Sequence, residues 1–179
     1  MGPTEGLSGA EHYQRGKEYY RKNDFDHALP EFVRAIQKSP DLVQNTDIIG
    51  EWHDCMMFCL KFNQHWFPYL QPTEEIFQML CESIYTHLKN SNYGDVERFY
   101  NLAVFKLPVL ELPETERHKC HASLLAERAM ALFGLMITNP QNDEVAGEGM
   151  REAIASQIAA LNIDPEVRLT YRMRPRIRK

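Results

Sequence analysis

The sequence predicts an all-α protein built from helical hairpins. Three observations carry that expectation. Apolar residues recur three and four positions apart through most of the chain, no segment sustains strand alternation, and a pattern that ends at Pro40 returns ending at Pro108. The expected helices cover 9–22, 26–38, 46–66, 73–89, 93–106, 114–137 and 146–162.

The first pair is the most legible. Tyr13, Tyr19 and Tyr20, with Gly16 between them, mark one face of the first helix. Phe25, Ala28, Leu29, Phe32, Val33 and Ile36 mark the second. Asn23 and Asp24 supply turn chemistry and a candidate N-cap. Gly16 and Ala28 let the two backbones approach, with aromatics filling the space around them. Pro30 is harmless in a first helical turn and costs a hydrogen bond further in, so the second helix is expected to start near Asp26 or to bend. Pro40 stops it, because the residue before a proline is pushed out of the α region.

Gly16, Tyr19, Ala28, Phe32, Ala35 and Pro40 fall at the spacings of the tetratricopeptide repeat, and the first pair resembles that family. His12 and Arg15 stand where the family prefers Trp and Leu. Counting back from Pro108, Val96, Tyr100 and Ala103 repeat the spacing of Ala28, Phe32 and Ala35. Halfway between, Ile49-Gly50 falls where the family has Leu-Gly, and Phe62 and Trp66 take second-helix core positions. Ala153, Ala160 and Pro165 give a last echo. The resemblance is clearest in residues 9–42 and 90–108. It implies a right-handed α-solenoid of about three such hairpins, with a longer C-terminal helical pair as cap. The expected division is an N-terminal arm, 1–8, expected to be flexible, a helical domain, 9–165, and a basic tail, 166–179.

Composition bounds the function. The chain has 179 residues, 44% hydrophobic and 25% charged, enough for one domain with its own core. Met1–Ala10 lacks the pattern of a secretory leader, no apolar run approaches a membrane span, and four cysteines suit a reduced compartment. The expected location is therefore cytoplasmic or nuclear, without a membrane. The net charge of −5 hides an asymmetry. Arg168, Arg172, Arg174, Arg176, Arg178 and Lys179 crowd the last twelve residues, where no acid occurs. The rest of the chain is then about −11.

Four constellations compete for function. Cys55 and Cys59 are spaced i, i+4, with His53 and His65 near them and His118, Cys120 and His121 further on, but no CxxC pair occurs and buried free cysteine explains them more simply. Glu51, His53 and Asp54, and Glu114, Glu116 and His118, group acids with a histidine. Neither group forms a catalytic pattern, and acids at a helix start answer the helix dipole, with Thr115 as the expected cap of the helix over 114–137. No nucleophile elbow, Walker loop or zincin motif is present, so neither an enzyme nor a metal or other cofactor is expected. The third constellation is the face of the first helix, Tyr13, Lys17, Tyr20 and Arg21. In the repeat family this face lines a concave groove, and these residues suit an acidic or aromatic peptide. The chaperone-clamp branch of the family implies Lys, Asn, Asn, Lys and Arg at the positions of Tyr13, Lys17, Ile48, Gln78 and Glu82, and none matches. The fourth is the tail, which suits a sheet edge, an acidic protein face or a nucleic acid.

The leading expectation is thus a non-enzymatic scaffold that binds a protein or peptide through its groove. The alternatives are a subunit of a nucleic-acid-associated complex acting through its tail, and a dedicated chaperone for one client. Trp52, Phe67 and Tyr69 are candidates either for a homodimer face or for burial.

Overall fold

Ser8 opens the first helix with a reciprocal cap. Its hydroxyl accepts from the Glu11 amide at 3.1 Å, and the Glu11 carboxylate accepts from the Ser8 amide at 3.2 Å. The helix so started, α1, spans Gly9–Arg21 in a computed structural model that describes residues 6–61, 66–67, 72–139, 143–169 and 172–173. The chain divides into two compact units, Met1–Cys59 and Leu60–Lys179, taken here in turn.

In the first unit α1 folds back on α2, Phe25–Lys38. Asn23 turns the chain with a left-handed φ of 60°, and the Asp24 amide donates to the Tyr19 carbonyl at 2.9 Å. The Asp24 side chain then caps α2 by accepting from the His27 amide. α2 starts one residue before the expected Asp26 and runs through Pro30. That proline sits beyond the first turn, where its missing amide removes the bond to the Asp26 carbonyl. The seam between the two helices closes on a glycine. A Cβ at Gly16 would lie 2.6 Å from the Phe32 ring, so only glycine admits this approach. Tyr13 and Tyr20 meet the same ring edge-on, with centroids 5.9 and 6.2 Å away.

His12, at the position where the repeat family has Trp, is buried. Its Nδ1 pairs with the Glu31 carboxylate at 2.8 Å, and Arg34 reaches the other oxygen of that carboxylate at 3.3 Å. After a short 3₁₀ turn, Pro40–Gln44, comes α3, Thr46–Lys61. Its Ile48, Trp52, Cys55, Met56 and Cys59 are fully buried. Trp52 is thereby removed from any exposed dimer face.

In the second unit, Trp66–Phe67 forms β1, not the end of a helix over 46–66. The following Pro68 accounts for this, since it pushes Phe67 into extended backbone. Trp66 is therefore not a second-helix core position, and Phe62 lies outside the described residues. β1 pairs antiparallel with β2, Arg172–Met173, in the register Trp66↔Met173 and Phe67↔Arg172. Arg172 and Met173 of the tail thus pair with a two-residue strand of the same unit.

The next hairpin is α4, Glu75–Lys89, and α5, Tyr93–Lys106. Its turn repeats the first one. Ser91 has φ 61°, and the Asn92 amide donates to the His87 carbonyl at 2.7 Å. C-cap, left-handed residue, N-cap and first helical residue each recur 68 positions on: Lys22, Asn23, Asp24 and Phe25 against Asn90, Ser91, Asn92 and Tyr93. Val96 and Ala103 are fully buried and Tyr100 half-buried. The sequence places Ile84 where the first hairpin has Gly16 and Tyr100 where it has Phe32, so the glycine seam is not repeated.

α6, Glu114–Thr138, and α7, Asp143–Ile163, complete the unit. Pro113, not Thr115, is the N-cap of α6, and Glu114 and Glu116 occupy its first turn. Pro113 has φ −54° and ψ 146°, the extended backbone of a residue just outside a helix, and makes no side-chain cap bond. Arg117 ties the preceding link down by donating to the Leu110 and Leu112 carbonyls at 2.9 and 3.2 Å. At Gly134 a Cβ would meet the Tyr93 ring at 2.5 Å, so α6 admits α5 by the same device as Gly16. By length and composition α6 is apolar enough to cross a membrane, contrary to expectation, yet 67% of that apolar window is buried inside the protein.

Candidate partner-binding cleft

Helical periodicity puts Tyr13, Lys17, Tyr20 and Arg21 on one side of α1. On α3 it does the same for Asp47, Glu51 and Asp54. The structure joins the two sets. The Tyr13 hydroxyl donates to Glu51 Oε1 at 2.9 Å, and the Tyr20 hydroxyl donates to Asp54 Oδ2 at 2.5 Å. Lys17 lies between the tyrosines on α1, with its Nζ 4.5 Å from the centre of the Tyr13 ring. Arg21 is exposed at the end of the row.

Beside this seam lies an open cleft of about 440 Å³, lined by Tyr20 and by Thr46, Asp47, Gly50, Glu51, His53 and Asp54. Gly50 has nothing within 4 Å of where a Cβ would be, so it leaves room in the cleft and fits no packed neighbour.

The electrostatics of the cleft are two-sided. Burial, with the Glu51 carboxylate adding to it, pushes the Tyr13 hydroxyl well above its ordinary range. The Asp54 hydrogen bond, followed by burial, pushes Tyr20 up to about 12. Both hydroxyls stay protonated donors at neutral pH. With Asp47, the two acceptors give the cleft an acidic wall on α3, while Lys17 and Arg21 belong to α1.

Of the four expected groove residues only Tyr20 lines the cleft itself; Tyr13 joins α3 beside it through Glu51, and Lys17 lies over the Tyr13 ring. The cleft also involves acids that sequence reasoning placed elsewhere. Glu51, His53 and Asp54 stood out as a possible acid–base group. Here the two acids accept hydrogen bonds from tyrosines on another helix. Nothing in their spacing named those donors.

The remaining constellations are less assembled. Among the described residues no three His, Cys, Asp or Glu side chains come together as a metal site. Burial raises the thiols of Cys55, Cys59, Cys81 and Cys120, which leaves them protonated and poorly nucleophilic at neutral pH. His118 faces Glu114 at 3.7 Å on an exposed surface. Of the clamp positions, Ile48 is fully buried, and Gln78 donates to Glu82 at 3.3 Å. In the tail Arg168 is exposed and Arg172 belongs to β2. Arg174, Arg176, Arg178 and Lys179 lie outside the described residues, as do His65 and Tyr69.

No family model matches the chain, and neither the curated proteins nor the solved structures contain a match to it.

Proposed function

We propose that this protein is a non-enzymatic interaction scaffold, with hairpins of the tetratricopeptide type, that binds a segment of another protein in the α1/α3 cleft. The right-handed solenoid and its C-terminal cap belong to the same reading. One observation carries it: the Tyr13–Glu51 and Tyr20–Asp54 bonds frame an open cleft with polar walls. The turn repeated at Asn23 and Ser91 supports the repeat assignment.

The acidic wall refines the expected partner. Asp47, Glu51 and Asp54 outnumber Lys17 and Arg21, so the occupant presents Lys or Arg toward α3 rather than being simply acidic. Tyr20 offers its ring to an apolar or aromatic neighbour in the same segment.

Affinity purification followed by mass spectrometry tests this. The full chain is compared with Tyr20→Ala, with Asp47→Asn/Asp54→Asn and with a chain ending at Val167. Partners that survive truncation and vanish with the cleft variants support the proposal. Partners lost only on truncation would move the function to the basic tail, as a subunit meeting a nucleic acid or an acidic surface would require.

A further inference from the structure

The sequence carries an occupant for the cleft. After β2 it continues Arg174-Pro175-Arg176-Ile177-Arg178-Lys179, four cations in six residues with no acid among them. The α3 wall has the opposite sign. Asp47 and Asp54 are exposed on it and Glu51 is half-buried. The tyrosine bonds use Oε1 of Glu51 and Oδ2 of Asp54, and no other partner of either carboxylate occurs among the described residues. Each therefore keeps an oxygen for an incoming cation.

Spacing agrees as well as sign. Asp47, Glu51 and Asp54 stand four and three positions apart, so they follow one face of α3 at steps of about 6 and 4.5 Å along its axis. In an extended segment alternate residues share a side, at steps of about 6.6 Å. Arg174, Arg176 and Arg178 then make one row, and Pro175 and Ile177 the other. One row matches the acids of α3, and the other supplies an apolar neighbour for the Tyr20 ring. From this complementarity we infer that the cleft receives the segment Arg174–Lys179 of a second copy. The inference rests on the cleft reading above and adds regulation to it: the tail is a resident occupant that a basic partner segment has to displace. A second copy is favoured by the short tether. Arg178 stands five residues past Met173, a reach of about 18 Å at most, whereas the tail of another molecule approaches with no such limit.

Two measurements test this. In the first, a labelled peptide of residues 172–179 is titrated by fluorescence anisotropy into the full chain carrying Arg174→Gln/Arg176→Gln/Arg178→Gln, which removes the competing tail. That chain should bind the peptide at least about tenfold more tightly than the same chain with Asp47→Asn/Asp54→Asn added. In the second, sedimentation velocity follows self-association from about 10 µM to about 1 mM, the range that weak contacts populate. Wild type should associate as its concentration rises. The tail variant alone and the cleft variant alone should stay monomeric, and their equimolar mixture should associate again, since one supplies the cleft and the other the tail. If Asp47→Asn/Asp54→Asn fails to fold, Asp47→Asn alone takes its place. A wild-type chain that stays monomeric, a mixture no different from its components, or a peptide bound equally with and without the acids contradicts the inference. A basic peptide enriched from a random library separates this failure from that of the cleft reading. If it binds the cleft and the tail peptide does not, only the present inference falls. If neither binds, the cleft reading falls with it.

Discussion

Tyr20 is the residue whose chemistry reports most directly on the cleft. Its proton is held to about 12, against an ordinary 10.0, chiefly by the bond to Asp54. A raised folded pKa means that the stability this contact contributes is complete below pH 10. It is lost as the pH climbs through about 12. Spectrophotometric titration of tyrosine should therefore show a late-ionising component that disappears in Tyr20→Phe and moves toward pH 10 in Asp54→Asn. The hairpin seam has its own test. Gly16→Ala drives a methyl into the Phe32 ring and should destabilise the fold by roughly 1–3 kcal/mol, measured by denaturant unfolding. His12→Ala removes the closer partner of the Glu31 carboxylate, which is 4% exposed, and leaves Arg34 reaching it at 3.3 Å. Removing one member of a buried pair costs about 3–5 kcal/mol when the other is left uncompensated, and Arg34 should hold the loss toward the lower figure.

Helices and turns show what the sequence disclosed and where it stopped. The expected helix over 93–106 matches α5, and apart from α3, which ends at Lys61 and not at 66, the other boundaries agree within about three residues, because apolar period, caps and prolines act locally. The failures came where distant or neighbouring residues decide. Trp66 continued a helical pattern but stands before Phe67-Pro68, and it forms a strand with a segment from the far end of the chain. Thr115 had the chemistry of a cap, yet Pro113 already set the backbone. The α1 side of the cleft was legible from its tyrosines. The α3 side was not, since two hydrogen bonds across more than thirty positions have no local signature. Two substitutions probe these elements. Ser91→Gly relieves a left-handed serine and should raise stability by about 1 kcal/mol in denaturant unfolding. Gly50→Ala should strengthen α3 by roughly 0.5–1 kcal/mol while narrowing the cleft. A rise in melting temperature together with weaker partner binding is the expected pair of results.

For the whole molecule, the sequence charge is unevenly placed, with an acidic body and a tail of six cations. The cleft draws on the acidic part, so binding there should weaken as salt rises. The central claim is that the α1/α3 cleft receives a protein segment bearing Lys or Arg. Its most direct test is a selection from a random peptide library on the immobilised full chain, followed by titration of the enriched peptide against wild type, Tyr20→Ala and Asp47→Asn/Asp54→Asn. The expected result is enrichment of peptides with Lys or Arg beside an apolar or aromatic residue, bound at least about tenfold more weakly by both variants. Peptides without basic residues, or peptides bound equally well by wild type and variants, would contradict the claim.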